Sequence, residues 1–458
     1  MEAAPLSLRA VVLGALLLCG SACARADKTP PIDREKLKIS LQRTGCFGSC
    51  PSYLVTIDGH GNVVFQSRHI DNGTSAIDRI ADFENGIIFP GRHTDRISAK
   101  AVDALVERFR KARFFELKGK YSSPVTDSPT HLVTLDTGNG RKTIVDYVGA
   151  DVGMPASITA LEDAIDEAAG TERWVRGTAA LLPWLDQQKF DYRSGLAVAV
   201  AIFGARREAE DEMLIGMIER GLPLDKRFLF GKRDAGVIGD ELIRQALERG
   251  RPNTLDRLAR SGWLDRLGAD EAGRIFADGA AGCSPALVET AARLKIPLEL
   301  PGKVERSTDP EIAGEIDEFG PRGRTALAAL SDSYACDRNE ERRLETARRL
   351  LKHGANPNRR DALGETAIFG VENAALLDLL YANSADGRVR NRKGASAVFS
   401  SWTDEIVLLH LQHGASPVGR FFDGKSLREQ MKERPMPKVS RWLKDHGQWD
   451  IALRKDSK

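Results

Sequence analysis

The first third of the chain has the hydrophobic pattern of β-strands. The runs KISLQRT, SYLVTID and NVVFQSR alternate apolar and polar residues, and a period of two is typical of half-buried strands. A glycine-rich turn at 59–61 joins the second run to the third, and a turn at 138–140 joins HLVTLDT to RKTIVDYV. The pattern therefore predicts two hairpins.

Two helical segments follow strands in this region. The segment that begins at Ser98, its predicted N-cap, places four apolar residues on one face: Val102, Leu105, Val106 and Phe109. A second helix is predicted from Pro155 to Ala168. The order β-β-β-α-β-β-α predicts an α+β domain over residues 35–170, with one antiparallel sheet and two helices on one face.

The pattern changes to helical pairs farther along, and its clearest instance is LLKHGANPNRRDALGETA, residues 350–367. The apolar end of a helix is followed by Gly354, where a left-handed residue is favoured. Turn-forming Asn and Pro residues come next, and Thr366 is suited to cap the following helix. This stretch predicts the end of one helical pair and the beginning of the next.

These signals recur. The helix-start signal lies at Gly323, Gly364, Gly394 and Gly424, spaced 41, 30 and 30 residues apart, and the helix-end signal lies at Gly354, Ser384, Gly414 and Gly447. Residues 323–447 therefore resemble ankyrin repeats, which have a turn and two helices in about 33 residues. The usual Thr-Pro-Leu-His signature is altered, since Ala or Leu replaces Pro and no His follows. We expect the long first interval to hold an insertion, SYACDRNEERR near Ser333, between its two helices.

Weaker helix endings lie upstream, near Asp225, Asn253, Asp265 and Leu300. We interpret residues 178–310 as degenerate ankyrin-like helical repeats, and an unrelated helical domain is the alternative. The charged helical segment SLREQMKERPMPKVSRWLKDHG is typical of a cap on a repeat array. The expected fold is thus an α+β domain followed by an all-α ankyrin-like solenoid.

Residues 35–170 also resemble an exported bacterial family, the uncharacterised DUF6438 domains. The resemblance rests on RTGCFGSCPSYLVTIDGHGNV from Arg43 to Val63, on FFEL from Phe114 to Leu117, on Tyr121, and on VTDSPTHLVTL from Val125. Some members carry ankyrin repeats behind this domain. The resemblance implies a fold unit and no particular reaction.

Residues 1–26 have the composition of an export signal. Arg9 precedes an apolar run, AVVLGALLLCG, that is too short to span a bilayer. The Ala-x-Ala sites around Cys23 favour cleavage, and lipidation of Cys23 is the alternative. We expect an exported protein in the periplasm or bacterial envelope, with no transmembrane helix in the mature chain and with a lipid anchor if Cys23 is modified.

Four cysteines follow this segment: Cys46, Cys50, Cys283 and Cys336. In an oxidising compartment an even number favours disulfides. Cys46 and Cys50 are the expected pair, with a reactive thiol pair or a metal site as alternatives. A bond between Cys283 and Cys336 is a weaker expectation, because it would join different repeats.

The sequence lacks several common catalytic motifs. It has no G-x-S-x-G elbow, no H-E-x-x-H motif and no phosphate-binding loop. His353, His413 and His446 recur near helix ends, where the helix dipole favours them, and His131 begins a strand without a nucleophile motif. We expect no enzyme activity, no cofactor and no metal, and the formal net charge of +2 does not favour a nucleic-acid partner.

The expected function is that of an exported protein–protein interaction module with the solenoid as binding surface. The alternatives are thiol–disulfide or other enzymatic activity at Cys46 and Cys50, and a periplasmic immunity protein that binds a toxin or enzyme. The excess of arginine at the turns suggests an acidic partner surface, although charged turns are also common as plain solvated surface. The candidate contact residues are Arg359, Arg360, Asp361, Arg388, Arg390, Arg392, Arg420 and Phe422.

Overall fold

The computed structural model describes residues 28–48, 50–67, 86–230, 233–279, 283–304, 323–331, 336 and 339–453. The predicted signal at 1–26, with Cys23, lies outside the described residues. The chain divides into two compact units. Of the described residues, the first unit holds those within Met1–Gln42, Val55–Val64 and Thr94–Ala169, and the second holds those within Arg43–Leu54, Phe65–His93 and Gly170–Lys458.

Seven strands form one sheet in the order β4-β3-β2-β1-β6-β7-β5. Buried positions alternate in the first three strands as the sequence pattern predicts, with Ile39 and Leu41 of β1 and Val55 and Ile57 of β2 all inaccessible to solvent. The strands are β1 (Lys38–Arg43), β2 (Tyr53–Asp58), β3 (Asn62–Ser67), β4 (Arg92–Arg96), β5 (Lys120–Ser122), β6 (His131–Asp136) and β7 (Arg141–Tyr147).

The sheet corrects the predicted topology in two respects. It has more strands than expected, since β4 and β5 were not predicted, and it is not purely antiparallel because β5 pairs parallel with β7. The hairpin partners β6 and β7 are antiparallel. The strand β5 was not predicted because it is short. It has three residues, too few for an alternating pattern to be recognised.

Two longer helices accompany the sheet, α1 (Ala99–Lys111) and α2 (Ala156–Ala169). The predicted N-cap is confirmed, because the hydroxyl of Ser98 accepts a hydrogen bond from the Ala101 amide at 3.2 Å. The four predicted apolar residues of α1 are its buried face: Val102, Leu105, Val106 and Phe109. The coarse expectation of an α+β region followed by a helical region is therefore correct.

The described part of the second unit is mainly helical, and β8 (Arg227–Phe230) pairs antiparallel with β9 (Arg233–Val237). The first group of helices comprises α3 (Glu172–Val175), α4 (Leu181–Gln187), α5 (Gly195–Arg206), α6 (Asp211–Glu219), α7 (Ile238–Glu248), α8 (Pro252–Ala259), α9 (Trp263–Leu267), α10 (Ala269–Gly279) and α11 (Pro285–Arg293). The second group comprises α12 (Ala326–Ala329), α13 (Glu340–Lys352), α14 (Ala374–Ala382), α15 (Asp404–Gln412), α16 (Leu427–Glu433) and α17 (Pro437–Asp445).

These helices pack in two successions along the chain. In one succession α5 contacts α7, α7 contacts α10, and α10 contacts α12. In the other, each helix contacts the next in the order α6, α8, α11, α13, α14, α15 and α17. Each helix therefore packs against its counterpart in the neighbouring pair, and the second succession continues from one group into the other.

Between residues 323 and 447 the first helix of each pair is short. In the first pair it is the four-residue helix α12. In the second pair it is reduced to a turn at 367–370, and in the third to a 3-10 turn at Ala397–Ser400. Thr366 therefore does not cap a helix, which corrects its predicted role. Gly370, with a φ of 72°, ends the second of these turns. A shortened first helix accounts for spacings of 30 residues instead of about 33.

The long interval from Gly323 to Gly364 has two sources of extra length. Ten residues separate α12 from α13, whereas three separate the Ala397–Ser400 turn from α15, and α13 has 13 residues where α15 has 9. The last four residues of the expected insertion, 340–343, begin α13. They were wrongly placed between the helices, because Asn339 caps α13 by accepting a hydrogen bond from the Arg342 amide.

Candidate functional site

Six of the candidate contact residues are exposed on the turns that connect successive helical pairs: Arg359, Arg360, Arg388, Arg392, Arg420 and Phe422. We call five of them the turn surface, all except Arg360, whose guanidinium donates to backbone carbonyl oxygens. Arg388 also donates a hydrogen bond to Asp386 at 3.0 Å. This bond holds the pKa of the Asp386 carboxyl below its usual value, so the turn carries charge of both signs. The turn surface is nevertheless predominantly cationic.

Two other candidate arginines hold the turns together. Arg360 donates through Nη1 to the carbonyl oxygens of Gly364 at 3.3 Å and Arg390 at 2.8 Å. Arg390, 30 residues later, donates in the same way to the carbonyl oxygen of Gly394 at 2.6 Å. Both guanidinium groups therefore donate hydrogen bonds to backbone carbonyl oxygens, at equivalent positions of two turns.

Asp361 does not face solvent, in contrast to its expected role. Its side chain is 8% exposed, and its Oδ1 atom accepts hydrogen bonds from the amides of Leu363 and Glu365, both at 2.9 Å. Asn391 makes the same pair of bonds with the amides of Lys393 and Ala395. A side-chain acceptor at this position shapes each turn. The role in the turn therefore explains why Asp or Asn stands here, and no contact with a bound protein is needed to explain it.

Neighbouring turns are also joined to each other. Asn358 donates through Nδ2 to the carbonyl oxygen of Ser384 at 2.8 Å, and its Oδ1 atom accepts from the Asp386 amide at 2.7 Å. The Arg392 amide donates to the carbonyl oxygen of Leu363 at 2.8 Å. These bonds cross from one repeat to the next and hold the exposed arginines at a defined spacing.

The last turn presents an aromatic side chain. Phe422 is 89% exposed and meets the ring of Trp402 edge to face, with the centroids 5.4 Å apart. Phe421 packs against the same indole at 5.0 Å, and the guanidinium of Arg434 lies 5.0 Å from its ring centroid. Trp and Arg are among the residue types enriched in the binding hot spots of protein interfaces.

The structure places both candidate cysteine pairs at disulfide distance. The Cα atoms of Cys46 and Cys50 are 5.5 Å apart, and Phe47 between them is 90% exposed. The Cα atoms of Cys283 and Cys336 are 5.3 Å apart, and both residues are buried. The second pair joins parts of the chain that are 53 residues apart, a pairing that sequence spacing alone does not define.

Two of the three histidines near helix ends contact polar groups. His446 bonds through Nδ1 to the carbonyl oxygen of Trp442 at 2.8 Å, as expected for a residue beside the unpaired carbonyls of a helix end. His353 instead pairs with Glu289 of α11 at 3.0 Å. This contact lowers the pKa of the Glu289 carboxyl. His413 stacks on Tyr381, with ring centroids 3.8 Å apart.

Sequence reasoning missed a group of potential metal ligands in the first unit. His131, Asp146 and Glu162 each offer a ligand atom, and these atoms all lie within 4.8 Å of one another. The hairpin signal pairs the two strands and so brings His131 opposite Asp146. Nothing in the local pattern of α2 signals that Glu162 faces them.

A buried aromatic cluster surrounds His93 in the second unit. The ring of Trp174 stacks at 5.6 Å, and Phe89 and Trp184 lie at 4.8 and 5.3 Å between centroids. The Nε2 atom of His93 bonds to the carbonyl oxygen of Phe89 at 2.9 Å. Burial lowers the pKa of His93 to about 4, so the ring is neutral at pH 7.

Comparison with known proteins agrees with the resemblance stated for residues 35–170. Residues 37–169 match the family model described as "Domain of unknown function (DUF6438)", which confirms the family expected from their motifs. The match spans β1 to β7 with α1 and α2, and its description names no activity. A search of the curated proteins finds no match.

Among the solved structures, 110 chains match. One of them is a crystal structure of the ankyrin repeat domain of Bcl-3, described as a unique member of the IkappaB protein family. The sequence identity is 15% and the TM-score is 0.29, and the likeness covers 50% of this chain and 90% of that chain. Among the described residues, no helix is long and apolar enough to cross a membrane.

Proposed function

We propose that this protein is an interaction module that binds another protein through the turn surface of an ankyrin-like solenoid, without catalysis. The packing order of the helices supports the solenoid, because each helix contacts its counterpart in the next pair. A repeat array of this type buries a continuous core between neighbours and leaves its turns for binding.

The observation that carries the proposal is the placement of the turn surface on turns that are bonded to one another. Arg360 and Asn358 fix successive turns through backbone atoms, so Arg359, Arg388 and Arg392 are displayed on a rigid support. Preorganised side chains lose less conformational freedom on binding. Because the display is rich in arginine, the favoured partner has an acidic surface.

We also propose an oxidising location outside the cytoplasm, in the periplasm or bacterial envelope. The two cysteine pairs at disulfide distance support this location, since disulfides persist mainly in oxidising compartments. A toxin or an enzyme of the same compartment is one class of partner that fits the proposal. The segment 1–26 remains the predicted export signal, and lipidation of Cys23 remains a prediction.

Site-specific crosslinking tests the proposal. A photoreactive phenylalanine in place of Phe422 should capture a partner from envelope extract, and the same group at the exposed Lys438 of α17 is the control. The proposal fails if no species crosslinks at 422 above the level at 438. High salt should weaken capture if the partner is acidic.

Charge reversal then tests which residues make the contact. Three reversals on the turn surface should abolish capture, whereas three reversals on helix exteriors should leave it unchanged. Equal loss in both variants would point to a general charge effect and overturn the assignment. The turn variant is Arg359→Glu, Arg388→Glu and Arg420→Glu, and the control is Arg348→Glu, Lys438→Glu and Arg441→Glu.

Thiol chemistry at Cys46 and Cys50 is a second candidate, favoured by the exposure of their loop. Phe47 and Gly48 within this loop are both exposed, so a reductant or a substrate disulfide has access. Reduction of insulin by the thiol-reduced protein, lost in Cys46→Ser, would support this activity. Failure of the reduced protein to reduce insulin would remove it.

A further inference from the structure

The three residues His131, Asp146 and Glu162 meet where a hairpin and a helix come together. His131 is the first residue of β6 and lies directly opposite Asp146 of β7 in the strand register. Glu162 comes from α2. One ligand atom of each residue lies within 4.8 Å of the other two, so a small movement of the side chains would bring all three to bonding distance of one ion.

The donor set has a clear chemical preference. It combines one imidazole nitrogen with two carboxylate oxygens, and Zn²⁺ accepts such nitrogen and oxygen ligands at about 2.0–2.2 Å. Three protein ligands with one position left for water are typical of open zinc sites. Imidazole also suits other transition-metal ions, whereas Ca²⁺ prefers more oxygen ligands.

Burial makes this group different from an ordinary surface cluster. The side chain of Glu162 is 3% exposed and that of His131 is 22% exposed, while Asp146 is 9% exposed. Two buried carboxylates side by side carry a high desolvation cost, which a cation among them offsets. The partial exposure of His131 provides a path for the ion from solvent.

A backbone contact orients one of the ligands. The Oδ1 atom of Asp146 accepts a hydrogen bond from the Gly149 amide at 2.7 Å. A Cβ at position 149 would lie 2.8 Å from that oxygen and 2.8 Å from the Cβ of Tyr121, so glycine permits the close approach. The Nδ1 atom of His131 faces Oε2 of Glu162 at 2.7 Å. The Gly149 amide is an outer contact of the kind that fixes the orientation of a metal ligand, whereas the bond between His131 and Glu162 joins two of the ligands and a bound ion would replace it.

We propose that Nδ1 of His131 and the carboxylates of Asp146 and Glu162 bind one divalent transition-metal ion of the Zn²⁺ type. The site is independent of the turn surface, since all three residues belong to the first unit. It adds a metal-binding function to the DUF6438-like part of the chain, for which sequence spacing indicated no metal. An ordinary ion pair between His131 and Glu162 is the competing explanation.

Metal binding by the full chain tests the proposal. After removal of metal with a chelator, titration with Zn²⁺ should show one equivalent bound and a rise in the midpoint of thermal unfolding, since a ligand that binds only the native state stabilises it. Co²⁺ should bind in competition with Zn²⁺ and give a visible absorption band. Ca²⁺ should not compete.

Variants separate the metal site from the ion pair. His131→Gln, Asp146→Asn and Glu162→Gln should each weaken Zn²⁺ binding at least tenfold, in line with the effect of disturbing a metal site. Asp146→Asn keeps an Oδ1 acceptor for the Gly149 amide and so tests the charge with the fold preserved. The matched control is Glu35→Gln, because Glu35 forms an exposed pair with His60 at 3.0 Å in the same unit.

The outcomes are distinct. Loss of the bound equivalent in the three variants, with the control unchanged, supports the site. If wild-type protein binds no Zn²⁺, or if Asp146→Asn binds it as tightly as wild type, the proposal is overturned. If Glu162→Gln lowers the unfolding midpoint equally with and without metal, the pair is only structural and the proposal is likewise overturned.

Discussion

The hydroxyl of Tyr381 and the Nδ1 atom of His410 are 2.7 Å apart and hydrogen-bonded, in a buried position between α14 and α15. The two residues are 29 positions apart in sequence, so the bond links one helical pair to the next. Burial lowers the pKa of His410 to about 3 and raises that of Tyr381. Both side chains are therefore neutral at pH 7, and the bond joins two uncharged groups.

We expect Tyr381→Phe to reduce the free energy of unfolding by about 1–3 kcal/mol, because a buried nitrogen of His410 loses its partner. Urea unfolding of the full chain measures the change. The double variant with His410→Phe should cost less than the sum of the single variants, since the two groups share one interaction. Strict additivity would show that the bond does not contribute.

Acid should destabilise the protein through two buried histidines. The native pKa values are about 4 for His93 and about 3 for His410, whereas an unfolded histidine titrates near 6.5. Between these values the unfolded state binds more protons, so stability falls as pH decreases below about 6.5, by up to about 1.4 kcal/mol per pH unit for each residue.

Urea unfolding across this pH range measures the slope. His93→Phe and His410→Phe should each make it shallower, because the removed ring no longer takes up a proton on unfolding. Gln188→Ala, which replaces an exposed side chain that does not titrate, should keep the wild-type slope. An unchanged slope in both core variants would contradict the assignment.

The two disulfides should differ in their contribution to stability. The entropy of loop closure predicts about 2 kcal/mol for Cys46–Cys50 and about 4 kcal/mol for Cys283–Cys336, because their sequence separations are 4 and 53. Unfolding of Cys46→Ser/Cys50→Ser and of Cys283→Ala/Cys336→Ala tests this order. A reductant should destabilise the wild-type protein. It should not affect a variant in which all four of these cysteines are replaced.

The adjacent residues Arg359 and Arg360 should respond differently to truncation. Arg360→Ala removes hydrogen bonds to two backbone carbonyls and should cost about 1 kcal/mol. Arg359→Ala changes an exposed side chain and should stay within about 0.5 kcal/mol of wild type. In partner capture the order should reverse, with Arg359→Ala the more damaging. Equal effects of both variants in both assays would argue against separate roles.

The last two helices should be needed to cover the end of the array. Val439 and Leu443 of α17 lie in one buried cluster with Val407 and Leu411 of α15. Deletion of the residues after Leu427 exposes this cluster, so aggregation or loss of helical circular dichroism is expected.

A point variant avoids the gross change of the deletion. Leu443→Ala should cost about 2–5 kcal/mol, and Arg441→Ala on the exposed side of the same helix should have little effect. Thermal unfolding that is the same in the truncated and the complete protein would refute the capping role.

Local signals were sufficient for much of the fold. Ser98 marks the start of α1, and the glycine turn at 138–140 joins β6 to β7. Short elements were missed for a physical reason: β5 is held by its parallel pairing with β7 and has too few residues for a period to appear. The shortened first helices of the repeats were missed because capping residues such as Thr366 are present where the following helix is reduced to a turn.

The sequence by itself determined the elements whose causes are local: the hairpins, the Ser98 cap of α1 and the spacing of the repeats, including the arginine-bearing turns. Tertiary structure alone decided that Arg360 and Arg390 bond to the backbone of the turns. It also decided that Glu162 lies beside His131 and that His93 is buried among aromatic rings. The reason is that hydrophobic period and turn chemistry act over a few residues, whereas burial and ligand geometry depend on contacts between distant segments.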